Sequence, residues 1–248
     1  MKILLLSLPY FDNSYHVQKE MQSGIGYKIL RSGDLREKKK IYPICDLLYT
    51  ASILKKNKFS VEIDDDQFRE SLDFNKYFSD LSKKCKKPDI VFVRTSLPTI
   101  TSDLDITLKL KKKWKKSKFL VYGPVFASND ILEFIKNKKI YDGIIISEIE
   151  SVILQVIKKE NNIPGYYYKK NKIYKIDNDN ISYAEMDKLP PPAYELVDYK
   201  KIEKIIIQTQ RGCPVACAYC PYYLSQKGKF RSKSPQTVIN ELNFLKKG

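Results

Sequence analysis

Arg211-Gly212-Cys213-Pro214-Val215-Ala216-Cys217-Ala218-Tyr219-Cys220-Pro221 carries three of the chain's five cysteines, spaced C-x3-C-x2-C. Iron–sulfur clusters are held by thiolates brought together in short runs. Three thiolates on one loop can ligate three irons of a cubane and leave the fourth iron open to a substrate or cofactor, as a catalytic metal site requires. A structural zinc closes its tetrahedron with four ligands. Here a fourth is hard to find, because His16 is the only histidine and Cys45 and Cys85 lie far off in sequence. A disulfide reading leaves an odd cysteine and suits secreted chains. The ligand count suits an iron–sulfur loop, with a structural zinc site or free thiols as the alternative.

Working outward, Lys204 to Gln208, with Ile205, Ile206 and Ile207, reads as a strand that delivers the cysteines at its C-terminal end, where βα-barrels place their sites. Lys227-Gly228-Lys229-Phe230-Arg231-Ser232 is a basic loop. Ser234 is an N-cap candidate with Pro235 at the first helical position, and Gly248 a C-cap candidate. Val238, Ile239, Leu242 and Leu245 form the apolar face of the helix between them. One βα unit cannot close a barrel, so residues 201–248 are expected to be only its beginning.

The 248 residues suffice for one large or two ordinary domains, and 43% hydrophobic with 30% charged is a globular composition. Met1 to Leu8 is apolar but short and lacks a cleavage site, so it reads as a buried strand rather than a signal peptide. No apolar stretch approaches the ~20 residues that span a bilayer. These features lead us to expect a cytoplasmic chain with no membrane partner. The net charge of +16 raises nucleic acid as a partner. Against it, only six of the 45 basic residues are Arg, the residue favoured for bidentate phosphate and base contacts. The Lys residues are spread along the whole chain, and the dense run Lys109–Lys116 reads as the solvated face of a helix.

Residues 1–160 alternate strand and helix patterns, the mark of a parallel α/β sheet. The expected strands are Lys2–Leu8, Phe59–Ile63, Asp89–Arg94, Phe119–Tyr122 and Gly143–Ile146. The expected helices are Cys45–Asn57, Leu72–Lys84, Ile100–Lys116, Asn129–Asn137 and one from Ile149 carrying Val152, Ile153, Val156 and Ile157. Asp12 to Lys40 reads as a long loop. Asp64-Asp65-Asp66 fits either a ligand site at a strand end or a turn before a helix. Cys45 reads as core. Residues 161–200 read as a tyrosine-rich hairpin packed across its strands, then a stiff linker containing Pro190-Pro191-Pro192.

The C-x3-C-x2-C run, with Tyr219 just before its last cysteine, resembles the signature of the radical SAM superfamily. Gln210-Arg211-Gly212-Cys213-Pro214, Cys220-Pro221-Tyr222 and the basic loop are similar to its branch with a cobalamin (B12)-binding domain in front. Tyr42–Phe68, Pro88–Pro98, Gly123-Pro124 and Ser147-Glu148 are similar to that front domain. The resemblance implies a Rossmann-like parallel sheet followed by the first βα unit of an incomplete (βα)6 partial barrel. It implies that Cys213, Cys217 and Cys220 hold a [4Fe–4S] cluster whose open iron binds S-adenosylmethionine, with Tyr219 against the adenine. Corrin contacts carried over from the family are Ser96, Leu97, Gly123, Pro124, Ser147 and Glu148. No Asp-x-His-x-x-Gly motif offers a histidine to cobalt, and the family's Gly-Glu-x-Glu reads Ser147-Glu148-Ile149-Glu150 here. The implied activity is methyltransferase-type radical chemistry on a small molecule, with an electron donor such as a flavodoxin or ferredoxin. Under this reading a second chain could complete the barrel. A non-catalytic cobalamin- or cluster-binding chain and a zinc-containing nucleic-acid binder remain as alternatives.

Overall fold

The computed structural model describes residues 1–9, 15–19, 27–31, 44–65, 68, 73–202, 205–218 and 221–247. Its centre is a seven-stranded sheet. The first five strands are β1 (Lys2–Ser7), β4 (Ser60–Asp65), β5 (Ile90–Arg94), β6 (Lys118–Tyr122) and β7 (Gly143–Ile145). They are mutually parallel, in the spatial order β4-β1-β5-β6-β7. Counted by their order in the chain this is 2-1-3-4-5, a doubly wound sheet whose switch point lies between β1 and β5.

Period-two alternation builds the two cores. Side chains alternate across a strand, so a strand covered on both faces is apolar throughout. Ile3 and Leu5, Ile90 and Phe92, Leu120 and Tyr122, and Ile145 meet on one face under helices α1 (Cys45–Lys56) and α5 (Ile149–Lys158). Leu4 and Leu6, Val91 and Val93, Phe119 and Val121, and Ile144 meet on the other under α2 (Phe74–Lys84), α3 (Ile100–Lys113) and α4 (Asn129–Lys138). Each such buried aliphatic side chain contributes roughly 1.5–3 kcal/mol. Cys85 is buried in the second of these cores, and Cys45 is buried in a smaller cluster with Tyr49, Ala184, Met186 and Leu189, as the core reading of Cys45 expected. Asp73 caps α2 by accepting from the Lys76 amide at 2.8 Å.

The strands and helices expected over 44–158 form within a few residues of their expected ends. One difference is that β4 runs on through Asp64 and Asp65, which are buried at its C-terminal end. Asp66 lies outside the described residues.

Two other expectations change, and a third, the hairpin, forms and reaches further than expected. The segment expected to be a long loop contains an antiparallel pair, β2 (Tyr15–Lys19) and β3 (Tyr27–Arg31), in the register Tyr15↔Arg31 to Lys19↔Tyr27. YHVQK alternates Tyr15 and Val17 with polar neighbours and YKILR does so through Ile29, but each run is too short to stand out from a polar segment. The hairpin β8 (Tyr166–Lys170) and β9 (Ile173–Ile176) extends the main sheet, with β8 antiparallel to β7. Tyr166 packs against one core and Tyr167 and Tyr174 against the other, and Tyr174 donates to the Tyr141 carbonyl at 2.6 Å.

Residues 205–208 are not a strand. Among the described residues no neighbouring strand pairs with them. Their amides turn to two phenols instead, Ile206 N donating to the Tyr194 hydroxyl at 3.0 Å and Gln208 N to the Tyr49 hydroxyl at 3.3 Å. The ladder begins two residues later, where β10 (Gln210–Arg211) pairs antiparallel with β11 (Arg231–Ser232). Between them lie the cysteine segment and α6 (Pro221–Gln226); α7 (Pro235–Lys247) follows. Ser234 caps α7 by accepting from the Thr237 amide at 3.3 Å, as expected. The face expected to be apolar is only partly covered, with Leu245 packed on the core and Ile239 and Leu242 about half exposed. Lys204 and Gly248 lie outside the described residues, and none of the described helices is long and apolar enough to cross a membrane.

Candidate functional site

A cleft of about 770 Å³, open to solvent, lies at the C-terminal edge of the sheet. Its sheet side is made by the ends of β5, β6 and β7, through Arg94, Tyr122, Gly123, Pro124, Ser147 and Glu148. Its opposite side is made by Gln208 and Arg211, just before the cysteines, and by Ser225 and Gln226 of α6.

Gly123 sits where two chain segments nearly touch. A Cβ there would lie 2.4 Å from the Thr95 carbonyl oxygen, so a side chain has no room. Thr95 and Thr99 both donate to the fully buried Asp103, at 2.7 and 2.8 Å, and Ser96 shares a hydrogen bond of 2.8 Å with Thr99. The Ser96 hydroxyl therefore holds the β5–α3 loop together, while Leu97 beside it is 52% exposed. Ser147 donates to the Pro164 carbonyl at 2.9 Å and accepts from the Ser182 amide at 2.8 Å, tying the β7–α5 turn to the hairpin and to the segment after it.

The floor is charged. Arg94 is 1% exposed and donates from Nε to Asp46 Oδ2 at 2.8 Å. Burial works against its charge, and Asp46 outweighs burial, so the guanidinium is held above its ordinary range. The Tyr122 hydroxyl is buried beside this pair, and burial pushes it well above the usual phenol range.

Glu148 and Glu150 flank the start of α5 and face the cysteine-bearing segment. Arg211 donates to Glu150 Oε1 at 2.6 Å, to Glu148 Oε2 at 3.1 Å and to Gln208 Oε1 at 2.8 Å. Arg231 donates to both oxygens of Glu148, at 2.9 and 2.8 Å, and its guanidinium lies 4.9 Å from the centre of the Tyr183 ring. Burial pushes the Glu148 carboxyl up. The hydrogen bond from Arg231 and the charges of both guanidiniums outweigh that, and it sits below its ordinary range. Glu150 is fully enclosed, and burial lifts it against the pull of Arg211. Bidentate, charge-assisted geometry of this kind is what Arg provides and Lys does not.

Cys213 and Cys217 are free thiols, half-buried on the segment that follows Arg211. Tyr219 and Cys220 lie outside the described residues, and among the described residues no three His, Cys, Asp or Glu side chains cluster. Cys45 is 3% exposed, and burial pushes its thiol up to about 12. The two described thiols have the accessibility that external metal ligation needs, and Cys45 does not.

The cleft thus gathers Gly123, Pro124, Ser147 and Glu148, four of the six positions carried over as corrin contacts. Ser96 and Leu97 do not line it. Sequence reasoning assigned no role to Arg94, Asp46, Tyr122, Glu150 or Arg211. One signal was available: in a chain this rich in Lys, three of its six arginines (Arg94, Arg211 and Arg231) gather around one cleft.

No protein-family model matches the chain. An uncharacterized methyltransferase of Pyrococcus horikoshii is 26% identical over 216 residues, covering 82% of this chain and 46% of the relative. The chain therefore spans about half the length of that relative. Among solved structures, the cobalamin-dependent S-adenosylmethionine radical enzyme OxsB, with aqua-cobalamin and S-adenosylmethionine bound, superposes with a TM-score of 0.69 at 16% identity, over 98% of this chain and 31% of OxsB. The radical S-adenosylmethionine methyltransferase TsrM from Kitasatospora setae, with tryptophan and an S-adenosylmethionine analogue bound, superposes with a TM-score of 0.58 at 13% identity, over 98% of this chain and 45% of TsrM. The resemblance read from the cysteine stretch is borne out: in fold this chain is like cobalamin-dependent radical S-adenosylmethionine enzymes, and its architecture is the expected Rossmann-like α/β sheet leading into the cysteine segment.

Proposed function

We propose that this chain is part of a cobalamin-dependent radical S-adenosylmethionine enzyme of methyltransferase type. The observation that carries the reading is the cleft itself. Gln208 and Arg211, which lead into cysteines of radical SAM spacing, are seated across from the C-terminal edge of a doubly wound sheet, where such sheets take their ligands. The likeness to OxsB and TsrM and the methyltransferase relative support it. In this reading residues 1–160 and 161–200 are the cofactor-binding domain and its link, and 201–248 open the radical domain.

Cys213, Cys217 and Cys220 would hold a [4Fe–4S] cluster, and Tyr219 would lie against the adenine of S-adenosylmethionine. Gly123, Pro124, Ser147 and Glu148 would face the corrin. Gly123 lets the β6 end pack directly against the Thr95 backbone at the rim of the cleft. Bound, the cluster supplies the electron that opens S-adenosylmethionine, and cobalamin supplies the methyl group. The protein's own part is to orient the two cofactors on opposite walls of one cleft. A flavodoxin- or ferredoxin-like donor and a cytoplasmic setting belong to the same proposal.

The test is anaerobic reconstitution of the chain with iron and sulfide, followed by absorbance and EPR with and without S-adenosylmethionine, then with hydroxocobalamin. A four-iron signal that S-adenosylmethionine perturbs, and a cobalamin spectrum that changes on binding, are expected. Stoichiometric zinc with no brown colour, and salt-sensitive binding to nucleic acid, would overturn the reading.

A further inference from the structure

The cysteine segment and the sheet are joined by a charge cluster whose members come from both sides. Arg211 and Arg231 are direct cross-strand partners in the β10–β11 pair, so two like charges sit side by side at the base of the segment that carries the cysteines. Like charges directly opposite on a ladder repel. Here Glu148 meets both guanidiniums and Glu150 takes a second contact to Arg211. Gln208 accepts from Arg211, and Ala184 accepts from Arg231 at 3.0 Å while its amide donates to Glu148 at 2.8 Å. Arg211 and Glu150 are almost fully buried, so neither charge has water to fall back on.

We infer that Glu148 and Glu150 are positioning residues: acting through Arg211 and Arg231, they fix the base of the cysteine segment, and so the height of its thiols above the sheet edge. The inference rests on the proposed function for what the thiols hold, and on geometry alone for the clamp. Arg211 is two residues from Cys213, with Gly212 between them in a conformation that only glycine adopts readily (φ 88°). The Arg211 guanidinium is shared between Glu148 and Glu150, which ties the chain two residues before Cys213 to the start of α5.

The experiment uses the full chain and separates the two layers. Without any cofactor, amide hydrogen exchange is followed by mass spectrometry in Glu150→Gln, Arg231→Gln and the wild type. Exchange over 208–213 and 229–233 is expected to quicken roughly tenfold or more, while β1 and β5 stay as protected as in the wild type. Unchanged exchange in the two segments, or an equal gain in β1 and β5, would overturn the clamp. Should Glu150→Gln not fold, Arg231→Gln carries the test, since its side chain is partly exposed.

The second layer is iron–sulfide reconstitution. The variants are expected to take up as much iron as the wild type and to need roughly tenfold more S-adenosylmethionine for the same EPR change. An unchanged S-adenosylmethionine requirement would overturn the positioning role. A wild-type chain that takes up no iron sinks the proposed function while the exchange result stands on its own.

Discussion

The Tyr49 hydroxyl donates to Glu241 Oε1 at 2.6 Å across 192 residues of chain, joining α1 on the sheet to α7 beyond the cysteines. The same oxygen accepts from Lys233 Nζ at 2.9 Å and from the Gln208 amide at 3.3 Å. Lys233 in turn pairs with Glu241. One phenol thus ties α1 to the approach of the cysteine segment and to its exit.

Tyr49→Phe keeps the ring and removes the shared oxygen. Glu241 and Lys233 keep each other, but each loses one partner in a place closed to water. A hydrogen bond to a charged group is worth about 1.5–3 kcal/mol, and a loss of that size is expected in urea unfolding. A change within ~0.5 kcal/mol would show that the contact contributes nothing to the join.

Lys233→Met should cost more than Tyr49→Phe. It strands Glu241, which is 3% exposed, as an uncompensated buried carboxylate. Breaking a buried pair from one side costs about 3–5 kcal/mol, whereas replacing both partners with apolar groups is often near neutral. Lys233→Met/Glu241→Leu is therefore expected to recover most of the loss. A double variant as unstable as the single one would mean that the pair itself, and not the stranded charge, matters.

These joins mark where sequence reading stops. Ile3 to Leu6 could be read as a central strand because both of its faces are buried, which leaves an unbroken apolar run. Ser234 could be read as a cap because capping is local. Ile205 to Ile207 read as a strand for the same local reason, but the amides of Ile206 and Gln208 go to Tyr194 and Tyr49, the latter 159 residues away. Nothing in a propensity records that partner. The contacts of Glu148 and Glu150 with Arg211 and Arg231 span 61 to 83 residues. Resemblance placed Glu148 at the cleft but was silent on what it touches.

Cys45 makes a prediction at alkaline pH. Burial pushes its thiol from about 9 to about 12. In the unfolded chain the thiol ionises near its ordinary value, while the folded chain keeps the proton. Between those two values the unfolded state binds fewer protons, so stability falls as pH rises, by about 1.4 kcal/mol per pH unit for this group. Cys45→Ala should flatten the stability–pH slope between pH 9 and 12 by that amount, leaving stability below pH 8 to report only the lost packing. An unaltered slope would show that Cys45 is not the group responsible. Iron uptake should not change in this variant.

Gly212→Ala tests the geometry at the cysteines themselves. Gly212 has φ 88°, and a Cβ there would fall 1.8 Å from the Lys229 carbonyl oxygen, on the facing arm of the β10–β11 pair. The left-handed backbone alone costs a non-glycine residue about 1–2 kcal/mol. The overlap is with backbone, which cannot rotate aside as a side chain could, so the arm carrying Lys229 must move away. That movement pulls Arg231 from Glu148 and displaces Cys213 from its neighbours. The far-UV circular dichroism of the sheet should survive, because β1, β5 and β6 lie outside the strained turn. Exchange protection at 229–232 should fall, and iron uptake with it. Val215→Ala, at a side chain 58% exposed on the same segment, is expected to leave both unchanged. If Gly212→Ala kept wild-type protection and iron, the close approach of the two arms would not be what holds the cysteine segment in shape.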